Sequence, residues 1–469
     1  MMISGGCMSQ TLKSLGIGPE EIRKYDQRIP RYTSYPTAPF WKEEINAAAW
    51  CEHLEQTRRH QKPLSIYVHI PFCGKRCFFC GCNAIVTRKA GVAQAYLELV
   101  AREIEMTARL IGSSSMVQLH LGGGTPSFLS SEEMSYLMKS IQAYFKPGRD
   151  AELSIEVDPR TVTPETVAAL YEDHGFNRIS FGVQDFNADV QEAIGREQTR
   201  DITFKNVQAA REVGFNSVNI DLIYGLPRQT VENWRNTIRD IIDLRPDRIA
   251  LYNFAYLPDK LRNQKFLDGS LLPSPDTKLD MFIETHDCLT ERDWVFIGMD
   301  HYALKEDSLN IAQKEGSLRR NFMGYTTLKG TDLISFGVSS ISDYQSGFGQ
   351  NVKKLSTYKK SIQNGVLPIE RGLILNREDR IRQHIIESLM CNGFLSYQPP
   401  SFIQPSEIIE RVEEVKAELN VLEENGLIEF EACGLRVSEK GRVFLRNIAV
   451  LFDSYLNHSG KSPVFSRAV

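Results

Sequence analysis

The sequence predicts an α/β fold in which a parallel sheet carries a helix between consecutive strands. Three observations predict it. Apolar runs rich in Val, Ile, Phe and Tyr alternate with amphipathic stretches. Glycine and polar residues collect just after each run. From about Glu370 the texture changes to helices and one short ribbon. Alternation of strand and helix argues for βαβ units. Periodicity leaves open whether six units form a partial barrel or a doubly wound sheet. Either architecture places its ligand at the carboxyl ends of the strands.

The strand-like runs are residues 65–72, 116–121, 151–157, 178–183, 217–223 and 248–254, and the helix-like segments are 92–110, 131–144, 164–174, 202–213 and 231–244. Ser130, Ser131 and Thr163-Pro164 are helix-start signals, and Gly175 and Gly214 are stops. The residues past the strands read Pro71-Phe72-Cys73, Gly122-Gly123-Gly124-Thr125-Pro126, Glu156-Val157-Asp158-Pro159, Gly182-Val183-Gln184-Asp185, Asp221-Leu222-Ile223-Tyr224-Gly225-Leu226-Pro227 and Asn253-Phe254-Ala255-Tyr256-Leu257-Pro258. One rim thus gathers the chemistry. After it, residues 377–391 and 403–424 are predicted helices, 427–437 a hairpin turning at Cys433-Gly434, and 441–456 a last helix. That order suggests a small winged-helix-like module. Glu407, Glu410, Glu413, Glu414 and Glu418 line the helix that would approach phosphates, which argues against DNA.

With 469 residues, 42% hydrophobic and 24% charged, the chain has an ordinary globular composition. Its net charge of -4 gives no electrostatic case for nucleic acid or an anionic membrane. No run of about 18 apolar residues suggests a membrane span, and Met1 to Gln10 lacks the features of a secretory signal. Nine cysteines, with Cys7, Cys51, Cys288, Cys391 and Cys433 scattered, suit a metal site in a reducing compartment. A cytoplasmic protein is expected.

Cys73, Cys77, Cys80 and Cys82 fall within ten residues. Three thiolates at i, i+4 and i+7 suit an iron–sulfur cube with one iron left open for a small molecule, whereas four ligands suit electron transfer. Structural zinc is the competing assignment, but it draws ligands from two separated knuckles, and no second pair lies at a useful spacing. Phe78 and Phe79 supply an apolar shell. The Gly122–Gly124 run permits close approach of a ligand to free amides, or simply a tight turn. Glu156, Gln184, Arg196 and Asp221 on the rim suit an ammonium, a ribose and a carboxylate. Asp158 and Asp185 are read as loop-fixing groups. Tyr67 and His69 share a strand face beside the cysteines.

Cys-x3-Cys-x2-Cys after a first strand resembles the radical S-adenosylmethionine enzymes, which implies a [4Fe-4S] cluster and cleavage of the cofactor to a 5′-deoxyadenosyl radical. The match extends to Arg31-Tyr32-Thr33-Ser34-Tyr35-Pro36-Thr37, Cys82, Ile155–Arg160, Gly182–Phe186, Asn219–Pro227, Gly298-Met299-Asp300-His301 and Arg320-Asn321-Phe322-Met323-Gly324-Tyr325-Thr326-Thr327. With these the chain resembles the oxygen-independent coproporphyrinogen III oxidases from about Tyr25 onward. The resemblance implies a partial (β/α)6 TIM-like barrel of the radical SAM type. It also implies an N-terminal segment 1–47 covering the active site, a catalytic domain 48–370 and a smaller, mostly helical C-terminal domain 371–469.

The implied activity is anaerobic conversion of two propionates of coproporphyrinogen III to vinyl groups, giving protoporphyrinogen IX and CO2 in heme biosynthesis. The implied metal ligands are Cys73, Cys77 and Cys80, with Tyr67 and Cys82 as catalytic residues. Two S-adenosylmethionine molecules are implied. The first would meet Tyr67, Gly123, Glu156 and Ile341, and the second Phe79, Gly124, Thr125, Gln184, Arg196, Asp221 and Ala255. Arg28, Arg31, Arg319 and Arg320 are candidates for the substrate carboxylates. The implied partners are a reduced flavodoxin- or ferredoxin-type donor and an unidentified electron acceptor, for a monomer that binds neither nucleic acid nor membrane. Relatives of the same fold that carry heme, or open its ring by radical methylation, stand as alternatives; Cys82 and the Arg31–Thr37 run favour the oxidase.

Overall fold

The computed structural model describes residues 11–59, 62–112, 114–458 and 465. The expectations for Met1 to Gln10 and Cys7 lie outside the described residues. The six predicted strands are present as β1 (Leu64–Ile70), β2 (Met116–Gly123), β3 (Pro147–Val157), β4 (Arg178–Gln184), β5 (Ser217–Tyr224) and β6 (Arg248–Asn253), paired in parallel in sequence order. Strand β1 ends at Ile70, and Phe72–Cys73 forms a separate short pairing with Ile85–Val86.

The sheet is larger than predicted. Strand β8 (His301–Leu304) extends one edge antiparallel to β6, and β7 (Trp294–Gly298) pairs antiparallel with β8 outside it. At the other edge β9 (Asp332–Phe336) pairs parallel with β1, followed antiparallel by β10 (Ile341–Tyr344), β11 (Gly347–Asn351) and β12 (Ile369–Ile374). The order β12-β11-β10-β9-β1-β2-β3-β4-β5-β6-β8-β7 stays open, a partial barrel with seven parallel strands. Strand β12 runs past the expected boundary at residue 370.

Period two gives the barrel its two faces. Ile66, Val68, Ile70, Leu119, Leu121, Ile155, Phe181 and Ile220 are completely buried among the core residues, where the helices pack. Each fully buried side chain of this kind contributes about 1.5–3 kcal/mol. The alternate residues Tyr67, His120, Glu156, Ser180 and Asp221 turn to the lumen, with Tyr67 paired to His120, His120 to Ser154 and Glu156 to Ser180 across neighbouring strands.

The helix signals behave as predicted. Ser130 and Glu133 form a reciprocal cap, Thr163 caps the turn at Pro164, and Gly214 ends its helix at φ 107°.

The C-terminal module departs from expectation in detail. The first helix, Arg377–Glu387, continues as a π-helical turn over Ser388–Asn392. The predicted 403–424 helix divides at Val415 into Pro405–Glu414 and Lys416–Glu424. In the ribbon Gly434 pairs with Glu431 and already begins the return strand, so the turn lies at Ala432-Cys433. The single predicted 441–456 helix is interrupted at Asp453, which accepts hydrogen bonds from the Tyr32 hydroxyl at 2.9 Å and the Tyr455 amide at 3.0 Å. A side chain that caps a new turn and anchors a distant segment is worth more than one further helical residue. No helix among the described residues is long and apolar enough to cross a membrane.

Candidate active site at the carboxyl ends of the strands

Cys73 lies in the short Phe72–Cys73 pairing just past the first strand, and the loop carrying Cys77, Cys80 and Cys82 lines the cavity at the barrel mouth. Backbone carbonyls of this short loop have no ladder to join, so side chains from residues 262–266 take them. Asn263 Nδ2 donates to the carbonyls of Cys77, Phe78 and Cys80 at 3.3, 2.8 and 2.9 Å, and Gln264 Nε2 to that of Phe79 at 3.0 Å. Arg76 donates to the carbonyls of Ala84 and Cys82.

Cys73, Cys77, Cys80 and Cys82 line one cavity of about 160 Å³ together with Phe79, Gly123, Gly124, Thr125, Glu156, Gln184, Arg196 and Asp221. Three thiols on one cavity wall, with Cys82 next to Cys80 (its amide donates to the Cys80 sulfur at 3.4 Å), could hold a [4Fe-4S] cluster. A Cβ at Gly124 would lie 2.8 Å from the Pro71 carbonyl carbon, so only glycine leaves this wall of the cavity clear.

Cys77 meets two guanidinium groups. Arg196 Nη1 lies 3.3 Å and Arg160 Nη2 3.6 Å from its sulfur. Asp158 holds both arginines, at 2.7 Å from Arg160 Nη2 and 3.1 Å from Arg196 Nη1. Burial raises the Asp158 carboxyl pKa, but the hydrogen bonds and charges of the two arginines outweigh it and leave the group below its ordinary range. Arg196 also donates to the Gly182 carbonyl, while its buried Nε has no protein partner. An orphaned donor in this wall suits an anionic ligand group.

Behind the cavity lies a polar layer in the lumen. The Tyr67 hydroxyl is 3.1 Å from His69 Nδ1, and His69 Nε2 is 3.0 Å from the Asn83 carbonyl. The His120 ring stacks on Tyr67 and reaches Ser154 at 2.9 Å and Glu156 at 3.1 Å. The Gly123 amide donates to the other Glu156 oxygen at 3.1 Å. Burial pushes the Glu156 carboxyl upward, yet the hydrogen bond and charge of His120 and the Gly123 amide hold it below its ordinary value. Asp221 goes the other way. Burial first, then the charge of Glu156, pushes it up to about 7, against hydrogen bonds with Asn219 and Ser180. The pair is therefore split, with one carboxyl ionised and the other titrating near neutrality.

Not every expected site residue joins this cavity. Tyr67 lies beneath Gly122, Ala255 is exposed with its carbonyl bonded to Gln264, and Ile341 packs with Trp41 and Phe348. The candidate arginines lie outside it too, with Arg319 and Arg320 lining a second cavity of about 590 Å³. Arg31 pairs with Asp300 and lies over the Tyr252 ring, and Arg320 lies over Tyr325 with Nε and Nη1 buried and unpartnered. Burial and then the charge of Arg320 lower Arg31 to about 10. Arg319 is 3.5 Å from Glu387, whereas Arg28 is exposed and tied to none of them by a hydrogen bond or ion pair.

His120, Arg160 and the Asp300–His301 contact at 2.7 Å carry no functional expectation from sequence, and Asp158 proves to be more than a loop-fixing group. The inward register of His120 on its strand was the available signal; Arg160 ends the family-like stretch Ile155–Arg160 but carried no role there.

Residues 67–241 match the family model of the Radical SAM superfamily. The chain is 43% identical over 448 residues to the oxygen-independent coproporphyrinogen III oxidase of Escherichia coli K12, covering 96% of this chain and 97% of that protein. A relative of the same name from Synechocystis is 42% identical, covering 98% of this chain and all of its own length. The solved structure of coproporphyrinogen III oxidase from Escherichia coli, described as a radical SAM enzyme, superimposes with a TM-score of 0.84 at 42% identity, over 92% of this chain and all of that one.

Proposed function

This chain belongs to the oxygen-independent coproporphyrinogen III oxidases, and from that premise we propose that it decarboxylates two propionates of coproporphyrinogen III to vinyl groups, giving protoporphyrinogen IX. The observation that carries the reading is the cavity that joins three thiols to an ionised glutamate and a partly unpartnered arginine. When bound, a [4Fe-4S] cluster and S-adenosylmethionine supply the one-electron chemistry that removes hydrogen from an unactivated carbon.

The residues divide the remaining work. Cys73, Cys77 and Cys80 would ligate the cluster, with Cys82 beside it. Glu156 is kept ionised by His120 and suits the ammonium of a first S-adenosylmethionine, with Tyr67, Gly123 and Ile341 around it. Phe79, Gly124, Thr125, Gln184, Arg196, Asp221 and Ala255 would meet a second molecule; all but Ala255 share the cavity with the thiols. Phe78 and Phe79 keep water from the loop interior.

Arg31 and Arg320 are the best-supported groups for substrate carboxylates. Two guanidinium groups are held near one another, and Asp300 is the acid paired with Arg31. A propionate would neutralise the excess charge and accept from the unpartnered Arg320 nitrogens. Arg319 has Glu387 and Arg28 faces solvent, so their part is weaker. We assign catalysis to residues 48–370, with 1–47 as a cover and 371–469 as support. The eight described cysteines are all free thiols, which supports a reducing compartment and the cytoplasm.

Anaerobic assay of the reconstituted protein with coproporphyrinogen III, reductant and S-adenosylmethionine tests the reading. Protoporphyrinogen IX and CO2 are expected. A loaded protein that makes neither but retains heme tightly would instead be a heme carrier. Arg31→Ala should raise KM about tenfold or more, the size of one lost charged hydrogen bond, with the cluster absorbance unchanged.

A further inference from the structure

The turn from β7 into β8 carries an Asp–His pair that the cluster cavity leaves unused, and we propose that His301 Nε2 accepts a pyrrole N–H of the substrate and so selects the reduced macrocycle. The inference rests on the reading that coproporphyrinogen III is the substrate. It names the group that tells porphyrinogen from porphyrin.

The backbone is bent to place this side chain. Met299 has a left-handed φ of 54°, which a non-glycine residue rarely adopts away from a site that needs it. The β7–β8 pairing then slips by one residue between His301 and Tyr302, and such a bulge re-aims the side chains beside it. The two rings diverge as a result. Tyr302 is fully buried against His286 and Phe296, whereas His301 lies opposite Ala250, which itself lies opposite Asp221. Residues paired across a sheet share a face, so His301 looks into the lumen in the row of Asp221, two strand spacings or about 10 Å from it. The short Ala250 between them leaves that gap open.

Neighbours fix the chemistry of the ring. Asp300 Oδ1 lies 2.7 Å from His301 Nδ1. A carboxylate only accepts, so the ring proton sits on Nδ1 and Nε2 carries a lone pair. Burial, then the charges of Arg320 and Arg31, hold the imidazole neutral, well below its ordinary pKa. Tyr252 and Tyr325 flank it edge-on, with centroids 6.3 and 5.3 Å away. Nε2 has no hydrogen-bond partner among the described residues, and the side chain is 15% exposed, so the lone pair is open to the lumen.

A ligand that matches this set brings anionic groups for the two guanidinium groups and a neutral N–H donor for the imidazole. The sulfonium of S-adenosylmethionine is disfavoured beside two arginines. A tetrapyrrole with peripheral propionates supplies both kinds of group. In the porphyrinogen every pyrrole bears an N–H, and the saturated bridges let each one tilt out of the mean plane. In the flat porphyrin half of the nitrogens are bare, and the remaining N–H groups point into the ring, out of an imidazole's reach. A site built around an acceptor rejects the form that cannot donate to it.

The test is anaerobic ultrafiltration binding of coproporphyrinogen III and of coproporphyrin III to the reconstituted full chain, with S-adenosylmethionine and without reductant, so that nothing turns over. Both probes carry the same propionates, and the wild type should prefer the porphyrinogen. His301→Phe keeps a ring and removes the acceptor. It should weaken the porphyrinogen about three- to tenfold, the size of one hydrogen bond, with porphyrin affinity and cluster absorbance at wild-type levels. His301→Gln restores an acceptor oxygen and should recover most of the loss. Asp300→Asn turns its oxygen to Arg31 and its NH2 to His301, which moves the ring proton to Nε2, so the preference should vanish there too. Arg31→Ala should weaken both probes alike. The inference is overturned if the wild type has no preference, if His301→Phe weakens both macrocycles equally or neither, or if Asp300→Asn keeps the wild-type preference. Where His301→Phe lowers cluster content, the isosteric Asp300→Asn decides. A wild-type chain that binds neither macrocycle, and makes no protoporphyrinogen IX once reductant is added, would overturn the substrate reading itself. Normal turnover with an unaltered preference in His301→Phe overturns this inference alone.

Discussion

At the scale of single residues, charge is managed by pairing groups of opposite tendency. Asp158 fixes Arg160 and Arg196 against the Cys77 sulfur. Hydrogen bonds from cationic donors stabilise the more negative, reduced state of a cluster. Asp158→Asn should therefore loosen both donors and shift the cluster midpoint potential downward, by about tens of millivolts, in an EPR-monitored titration of the intact protein. An unchanged potential with normal iron content would show that the arginines serve folding alone. Asp221 offers a second test. Its carboxyl titrates near 7, so a cationic ligand such as S-adenosylmethionine must displace its proton below that pH. Affinity should rise as pH increases from about 6 to about 8, at most tenfold per unit for one proton released, and Asp221→Asn should flatten the profile. The sign for stability is opposite. A carboxyl whose folded value exceeds its unfolded value of 3.8 favours the folded state fully below 3.8, and that contribution fades as pH rises toward 7. Calorimetric binding at several pH values separates the two.

Among the elements, the parallel strands were the most legible from sequence, and the physical reason is burial. Helices cover their outer face, so Ile66, Val68, Leu119 and Phe181 had to be apolar, while the lumen set the alternate positions polar. The edge strands β7, β8, β10 and β11 were missed because they are short and join by tight connections, without the helix-length spacing that marks a βαβ unit, and β12, reached through the helix Leu355–Gln363, is a short edge strand as well. Asp332–Phe336 hid for another reason: it is buried throughout, so no alternation marks it. In the site, cysteine spacing and rim position found most of the cavity wall. The clamp at Cys77 could not be read, because Arg160 and Arg196 meet there only through tertiary structure. The same holds for Asn263, whose amide gathers three carbonyls of the cluster loop. Each such bond contributes about 1 kcal/mol. Asn263→Ala should leave the global melting temperature nearly unchanged but speed loss of iron to a chelator about tenfold or more, if two of the bonds are lost. Equal iron retention would mean that the loop is held by its thiols alone.

For the whole molecule, residues before the barrel bind its two ends into one body. Arg446 donates to the carbonyls of Ile29 and Pro30, Asn447 Nδ2 to that of Tyr25 at 2.7 Å, and Tyr32 to Asp453 at 2.9 Å, while Arg31 reaches Asp300 in the barrel. The C-terminal module thus holds the segment that presents Arg31, although it contributes no residue to the thiol cavity. On the proposed role of Arg31, such an arrangement would couple the module to substrate binding and leave the cluster independent of it. Asp453→Ala removes the acceptor of Tyr32 and the cap at Tyr455 together, and burial makes the orphaned hydroxyl costly, about 1–3 kcal/mol. The expected result is faster proteolysis between residues 28 and 41 and a raised KM for coproporphyrinogen III, with iron content and S-adenosylmethionine affinity at wild-type levels. Tyr32→Phe should reproduce the smaller part of the effect, since it removes the hydroxyl and leaves the cap. If Asp453→Ala instead lowers cluster content while the segment stays protected, the module acts on the barrel directly and the segment is not its intermediary.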